Sequence, residues 1–547
     1  MQPQIKVALN FVNLVANQAL KEIDRLFQDY LKDTPFKGKV KAVGGYPRDL
    51  YLSIIKNDPS IEPDDIDLVV NEEGGSKKIT HYIREQFGPE TISEPVHMGE
   101  RKKYPIWEIK FNKDITYKGK TYKTEGAKLQ FADPQKEFYP DPETRDRETM
   151  PGTLEDDLER RDFAVNMLLK DMTTGEFEDL TGTSKKDIEK GILKGHPNVS
   201  WSQMFSNDPI RILRLFRFQA KYNWDIPRAI LKDVKKVKDR IKMLNKVNVK
   251  CKNCDWKGAA NWDPHSKEKF KFECPKCKSA IDEYGDPYID DKAEKELKKI
   301  MDYGGLNKAV KLMSLTGVLP FLLPEIEALK GIKQNPKYHT EGDAYRHTLM
   351  VLKNSNPGVD NQIAALLHDV GKATTTTMLE DEIHSYGHEE VGAEIAEAVL
   401  KRLRFENDTI AKVKKMVRNH MRPHHLGRDS GTKAIRKFIR DVGDELVDSI
   451  LALARADELG KIPSTNDIPD LAEKIKKVRE QAKEPLSEKN ILNGKEIMDL
   501  LGIPSGTEVG RAKKMLTEIE DNFAEKGEEL TKEKAREELL KEFHKRA

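Results

Sequence analysis

Two aspartates two residues apart, Asp65 and Asp67, have the type and spacing to hold divalent cations. If Ile66-Asp-Leu-Val-Val70 is a strand, side chains two apart leave the same face. Both carboxylates then point one way, while Ile66 and Leu68 point into a core. A pair so placed can bridge two Mg²⁺ ions about 3.5–4 Å apart, as in-line nucleotidyl transfer requires. One ion lowers the pKa of the attacking hydroxyl and the other neutralises the leaving pyrophosphate. An isolated Asp-x-Asp is more often a solvated turn or strand end, so the surroundings decide. Gly44-Gly45 follows an expected strand at Lys39–Val43 and precedes an expected helix at Arg48–Ile55. Backbone N–H groups without side chains can approach a triphosphate closely there. Arg48, in the first turn of that helix, is expected to pair with phosphate oxygens.

Two other groups of residues could bind metal. Cys251-Lys-Asn-Cys254 and Cys274-Pro-Lys-Cys277 are Cys-x₂-Cys knuckles with nineteen residues between them, the spacing of a tetrahedral Cys₄ zinc ribbon. With no position left open, such a site is structural rather than catalytic. His347, His368-Asp369 and Asp457 follow the ligand order of an HD-type phosphohydrolase, with His368-Asp-Val-Gly-Lys372 the most diagnostic stretch. Imidazoles and carboxylates from several helices can converge on a divalent transition metal and leave positions for water and phosphate. His388, His420, His424 and His425 are further candidates, for a second metal or for substrate.

The elements that must position these groups divide the chain. Strand-like segments at Ile66–Val70, Ile106–Phe111 and Lys128–Phe131, an amphipathic helix over Val7–Leu31 and a mobile hairpin over Asn112–Gly126 give an α+β head with a small mixed sheet, residues 1–185. Mostly helical segments follow: a neck at 186–248, the zinc-ribbon-like insert at 249–285, neck and body helices at 286–335, an HD domain at 336–470 and a tail at 471–547. Lys532–Lys545 is expected to be a loosely packed end. At 547 residues several packed units are expected. Lys plus Arg total 95 against 93 acids, a net charge of +2, so any RNA footprint must be local; Lys232–Lys242 is one candidate helix. No apolar run reaches bilayer length, Met1–Leu26 carries acids without a signal-peptide cleavage pattern, and the cysteines lie in one segment. A cytoplasmic protein without a membrane partner is expected.

Val43-Gly-Gly-Tyr-Pro-Arg-Asp49 with Asp64-Asp-Ile-Asp67 resembles the head of class II tRNA nucleotidyltransferases, the CCA-adding and poly(A) polymerase family of the DNA polymerase β superfamily. Gly152–Asn166, Phe205–Phe218 and Leu492–Gly510 resemble the same family in order, so the likeness covers most of the chain. It implies Asp65 and Asp67 as catalytic Mg²⁺ ligands, with Gly44, Gly45, Arg48, Arg160, Arg161, Asp162 and Asn166 binding nucleotide. It further implies that Asp208 and Arg211, three apart on a helix with Arg214 and Arg217, imitate a template base. A carboxylate accepts from the amino groups of cytosine and adenine, and a guanidinium donates to the ring. The implied activity is addition of C and A from CTP and ATP to the 3′ end of tRNA, held along its acceptor stem. The HD-containing bacterial members imply an accessory phosphohydrolase. The chain departs from the family at Asn207, where an acid is usual, and at Gln130, where the superfamily often has a third acid that Glu108 would replace. The alternatives are a poly(A) polymerase, an HD phosphohydrolase with a nucleotide-sensing head, and a non-enzymatic RNA-binding protein.

Overall fold

A computed structural model gives the structure of residues 18–98, 106–141, 145–263, 272–281, 283–337, 339–379, 382–426, 430–464, 467–481, 491–526, 528 and 530–546. Of the helix expected over Val7–Leu31, residues 7–17 lie outside these, and residues 18–30 are helical. The chain forms two compact units, Met1–Arg240 and Ile241–Ala547.

In the first unit the strands are β1 (Val40–Val43), β2 (Asp67–Val70), β3 (Val96–Met98), β4 (Ile106–Lys110), β5 (Ile115–Tyr117), β6 (Lys120–Tyr122), β7 (Lys128–Ala132), β8 (Gln135–Phe138), β9 (Glu148–Pro151), β10 (Leu169–Asp171) and β11 (Phe177–Glu178). Seven of them make one mixed sheet in the order β11-β10-β1-β2-β7-β4-β3, with β2 and β7 parallel. Its two faces are both covered, which explains the apolar run Leu68-Val-Val70 in β2. Ile66, Leu68 and Val70 join Val40, Ala42, Phe131, Ile23 and Phe27 on one face. Val43 and Val69 pack on the other against Leu154, Leu158, Ala164 and Leu169. Alternation along the strand then places Asp65 and Asp67 on the second face, beside helix Leu154–Glu159. β5 and β6 form the hairpin expected within Asn112–Gly126. It is anchored, because Ile115 and Tyr122 are buried in the main core and the Tyr122 hydroxyl donates to Asp29.

The second unit opens with a three-stranded sheet, β13 (Lys257–Asn261), β12 (Asn245–Lys250) and β16 (Glu283–Ile289) in that order, and a small pair, β14 (Phe272–Glu273) with β15 (Ala280–Ile281). Helices then dominate, interrupted by a hairpin that helical periodicity gave no reason to expect, β17 (Thr377–Leu379) with β18 (Glu382–His384). The tail helices Gly494–Leu501, Thr507–Glu525 and Lys532–Arg546 share a core of their own. Ala535 and Leu539 are fully buried in it, so the expected loose end is packed. The basic run Lys232–Lys242 does not form one helix either: helix Arg228–Lys236 ends at Val237 and a separate 3-10 turn follows. No helix among the described residues is long and apolar enough to cross a membrane.

Leu68 holds the acid-bearing strand to the main core and is 2% exposed. Leu68→Ala is expected to destabilise the first unit by about 2–5 kcal/mol, read as a lower urea midpoint for the loss of its sheet signal.

Candidate active sites

Gly44 closes β1 with φ +83° and ψ −126°, a conformation that side chains resist, and it stands at the N-terminus of helix Gly45–Lys56. The turn brings the backbone against the acids. A Cβ built on Gly44 would lie 3.6 Å from Asp67 Oδ2 and 3.7 Å from Arg161 Nη1, and one on Gly45 would lie 3.8 Å from Asp65 Oδ1. Two glycines, two carboxylates and two guanidiniums, those of Arg161 and Arg48, therefore line one small space. Asp67 remains open to solvent, yet the protein packed around it raises its pKa, and the charge of Asp65 adds to the rise against a smaller pull from Arg161. Carboxylates that resist ionising together are suited to a cation that relieves them. Across the sheet, Gln130 stands in register with Asp67 on one side and Glu108 on the other, and its amide donates to Glu108 Oε2 at 2.9 Å. Glu108 is thus separated from Asp67 by the intervening strand.

The arginines around this space are held by buried acids. Asp157, 1% exposed, takes Arg160 at 2.7 Å and Arg161 at 2.9 Å on its two oxygens, and despite burial these charges lower its pKa. Asp162, 5% exposed, is held ionised against burial by Arg214 at 2.7 Å, by the Asn166 amide at 2.8 Å and by the charge of Arg211. Asn166 accepts from Arg48, which also donates to both oxygens of Asp49 at 2.8 Å and to the Tyr222 hydroxyl at 2.7 Å. These partners are all groups of the protein itself, and Arg48 Nη2 also lies 3.7 Å from a Cβ built on Gly45. The guanidinium is buried under Phe218 and Tyr222 and ties the glycine turn to helix Ile210–Tyr222. Asp162 and Asn166 belong to the same buried network.

Asp208 does not share a helix face with Arg211. It ends helix Trp201–Asn207 in an extended conformation and precedes Pro209, the N-cap of the next helix. Arg211 is in that helix's first turn, so the two remain close: the Arg211 N–H donates to the Asp208 carbonyl at 3.1 Å. Arg145 donates to Asp208 Oδ1 at 2.9–3.0 Å, and Arg211 donates to the Arg160 carbonyl at 2.6 Å. Arg211, Arg214 and Arg217 lie half-buried along one side of this helix, whose other positions are mostly buried apolar residues.

In the second unit, His347, His368, Asp369 and Asp457 are at most 3% exposed and face one another. His347 Nε2 is 2.8 Å from Asp457 Oδ1, and His368 Nε2 is 3.2 Å from Asp369 Oδ2. His388 and His420 close on Asp369 from another side. His424 reaches Asp457 Oδ2 at 2.8 Å, whereas His425 lines a neighbouring cavity. Burial opposes the charge on Asp369, but His368 and Lys372 outweigh it and hold the carboxyl well below its usual range. Gly371 is needed for this packing, since a Cβ there would lie 2.1 Å from the His388 carbonyl oxygen. The converging ring nitrogens and carboxylates fit a divalent transition metal.

The four cysteine sulfurs lie within 4.8 Å of one another. Cys251 and Cys277 are 3.5 Å apart, and Cys254 and Cys274 3.6 Å, too long for a disulfide. A tetrahedron with arms of about 2.3 Å has edges near 3.8 Å, so the set fits one thiolate-bound metal. The Ser279 hydroxyl, 3.2 Å away, and the Ser279 N–H lower the pKa of Cys277.

The sequence matches the poly A polymerase head domain family over residues 40–194 and the HD domain family over residues 345–462. A CC-adding tRNA nucleotidyltransferase of Thermus thermophilus is 30% identical over 406 residues, 73% of this chain and 79% of that protein. The chain belongs to the tRNA nucleotidyltransferase family. A Multifunctional CCA protein of Neisseria gonorrhoeae is 29% identical over 279 residues, 50% of this chain and 56% of that relative. Among solved structures, a Bacillus stearothermophilus CCA-adding enzyme in complex with CTP has TM-score 0.54 at 15% identity, covering 100% of this chain and 99% of that one. An apo CCA-adding enzyme has TM-score 0.52 at 17% identity, covering 100% and 97%. At these identities the likeness is one of fold.

Sequence reasoning passed over Asp157, Arg145, Tyr222 and Glu341. Asp157 had a usable signal, because it precedes Arg160 and Arg161 by three and four residues on one helical turn. Glu341 lies 3.0 Å from His347 Nδ1 and 2.7 Å from His339 Nδ1; burial opposes its charge, yet these contacts hold its carboxyl down at about 2.

The raised pKa of Asp67 has a definite sign. A carboxyl that binds its proton more readily folded than unfolded favours the fold at low pH, and that contribution is lost as pH rises through its folded pKa. Asp67→Asn should therefore make the chelator-treated protein more thermostable at neutral pH and flatten the pH dependence of its melting temperature. The same substitution should lower nucleotide addition more than about a hundredfold, the upper range for loss of a metal's outer partners. An unchanged pH slope in the variant would contradict the assignment.

Proposed function

We propose that this chain adds C and A nucleotides to the 3′ end of tRNA, using CTP and ATP without a template, and that Asp65 and Asp67 hold the Mg²⁺ ions of the transfer. The observation that carries this reading is the single space lined by Gly44, Gly45, Asp65, Asp67 and Arg161. In it the glycine N–H groups and Arg161 would cradle a triphosphate. The acids would hold the cations that activate the primer hydroxyl and neutralise pyrophosphate. Asp208 and Arg211 would read the base, and Arg160, Arg214 and Arg217 would line the approach. Their half-burial supports this, as does the carboxylate–guanidinium pairing that suits an amino-bearing base. Asp162, Asn166 and Arg48 would act by positioning these groups.

A second reading, addition of CC alone, is favoured by the likeness to the CC-adding tRNA nucleotidyltransferase of Thermus thermophilus. Sequencing the products from tRNAs that lack one, two or three terminal nucleotides, with each NTP supplied singly, separates the two. The proposal expects C on the shorter ends and A only after CC. Absence of A under every condition would leave CC addition. Asp65→Ala should abolish all products, and products of normal yield from that variant would overturn the reading altogether.

The HD cluster is proposed to use a divalent transition metal to hydrolyse phosphate esters, with 2′,3′-cyclic or terminal phosphates on RNA ends as the substrate class that would serve the head. The Cys₄ site is proposed to hold zinc as a folding staple. The sulfur spacing and the closed donor set support that assignment. Purified protein should carry zinc that is released when the thiols are modified. Cys274→Ser should lose that zinc and lower the melting temperature, and retention of zinc at full stoichiometry would contradict the staple.

A further inference from the structure

Tyr386 leaves the β17–β18 hairpin two residues after His384, the last residue of β18, and its side chain is 72% exposed. A single exposed tyrosine is ordinary, but the setting of this one is not. Its ring lies parallel to that of His384, with 4.9 Å between centroids and 11° between planes. One face of the phenol is therefore backed by an imidazole, and the other is open to water. A flat ring supported from behind offers its free face for offset stacking by a third ring.

The backbone on either side of Tyr386 is fixed. The Ser385 hydroxyl is 2.8 Å from that of Thr376, and the Ser385 carbonyl accepts from the His388 N–H at 3.3 Å. Gly387 takes φ +70°, which turns the chain into helix His388–Arg402. Tyr386 also belongs to the wall of a cavity of about 290 Å³, together with His339, Lys372, Ser385, His388 and His425. Lys372 and His388 are 9% and 7% exposed, so they form its inner part, and Tyr386 stands at its rim. The inner part has an ammonium group and imidazoles, which suit a phosphate, and the rim has a ring, which suits a base. A nucleotide presents the same two chemistries one sugar apart.

We propose that the free face of Tyr386, backed by His384, is a stacking platform for the terminal base of an RNA whose phosphate ester enters this cavity. The proposal rests on the reading of the HD cluster as a phosphohydrolase and adds how that site would tell a nucleotide from another phosphate ester. Stacking reads the flat face of a base and not its edge, so every base is accepted. Purines, with the larger face, are held more tightly than pyrimidines. The ring acts on binding alone, since the ester reacts at the far end of the nucleotide.

The test gives the full chain the 2′,3′-cyclic phosphates of adenosine, of cytidine and of ribose without a base. In each, the bond from phosphorus to one ribose oxygen breaks and a water oxygen takes its place. One water proton goes to the released ribose oxygen and the other to solvent. Tyr386→Ala should raise KM for the adenosine substrate about tenfold, raise it less for cytidine, and leave the base-free substrate and every kcat unchanged. Tyr386→Phe, which keeps the ring, should behave as the parent, and both variants should melt close to it because the side chain is exposed. An oligoadenylate ending in the same cyclic phosphate should lose as much as free adenosine; a loss confined to the free nucleotide would overturn the RNA end as the ligand. Equal changes on all three substrates, or none on adenosine, would overturn the platform and leave the hydrolase reading standing. Equilibrium dialysis of adenosine 2′-phosphate needs no turnover. Binding weakened by Tyr386→Ala and kept by Tyr386→Phe would uphold the platform even if no cyclic phosphate is opened, a result that removes the hydrolase reading alone. Absent binding, or equal binding by parent and Tyr386→Ala, would overturn the platform.

Discussion

A carboxylate taken out of water needs compensating charge and hydrogen bonds close by, and Asp162 obtains them from parts of the chain far apart in sequence. Arg214 comes from helix Ile210–Tyr222, and Asn166 comes from the turn beneath the sheet, where it in turn accepts from Arg48 on the glycine-capped helix. Tyr222 and Asp49 complete the connection. Removing any one member would leave a buried charge or donor unpaired, which is why the glycine-capped helix, the Ala164–Asn166 turn and helix Ile210–Tyr222 hold one relative position. Within this arrangement Asp65 and Asp67 can be held close together although their charges repel, because the repulsion is borne by a framework fixed elsewhere.

The HD domain solves a related problem in another way. Its acids are buried among histidines whose outer nitrogens are anchored to backbone carbonyls or to Glu341, so ring orientation is set before any ligand arrives. Lys372 and Lys461 place ammonium groups on Asp369 and Asp457, at 2.6 and 2.8 Å. The head leaves its carboxylates open to solvent at the end of a strand, whereas the HD centre encloses its own.

The sequence was most informative where function depends on short spacing. The Asp-x-Asp, the glycine pair, the two cysteine knuckles and the adjacent His368-Asp369 each require neighbours a few residues apart, and alternation along β2 correctly separates Ile66 and Leu68 from the acids. The role of Arg48 was not legible in this way. Its residue type and position suit a phosphate contact, whereas its burial beneath Phe218 and Tyr222 and its bonds to Asp49 and Asn166 depend on partners brought near by the fold. Arg145 beside Asp208 had no local signal, since its partner is brought near by the fold. The break in the basic run at Val237, the β17–β18 hairpin and the packed tail helices were likewise decided by tertiary contacts that override local propensity.

The strands β12 and β16 that flank the cysteine insert lie side by side, with Asn245 opposite Ile289, and the Asp290 N–H donates to the Leu244 carbonyl at 2.8 Å. The polypeptide thus departs from the helical framework and rejoins it at a single stem. A ribbon attached in this manner is an appendage in the architectural sense: it can be lengthened, exchanged or lost in descent while the flanking helices keep their register. A metal held by its four cysteines would govern the appendage's own folding, and selection could then reshape this part of the molecule at a different pace from the helices on which it is mounted.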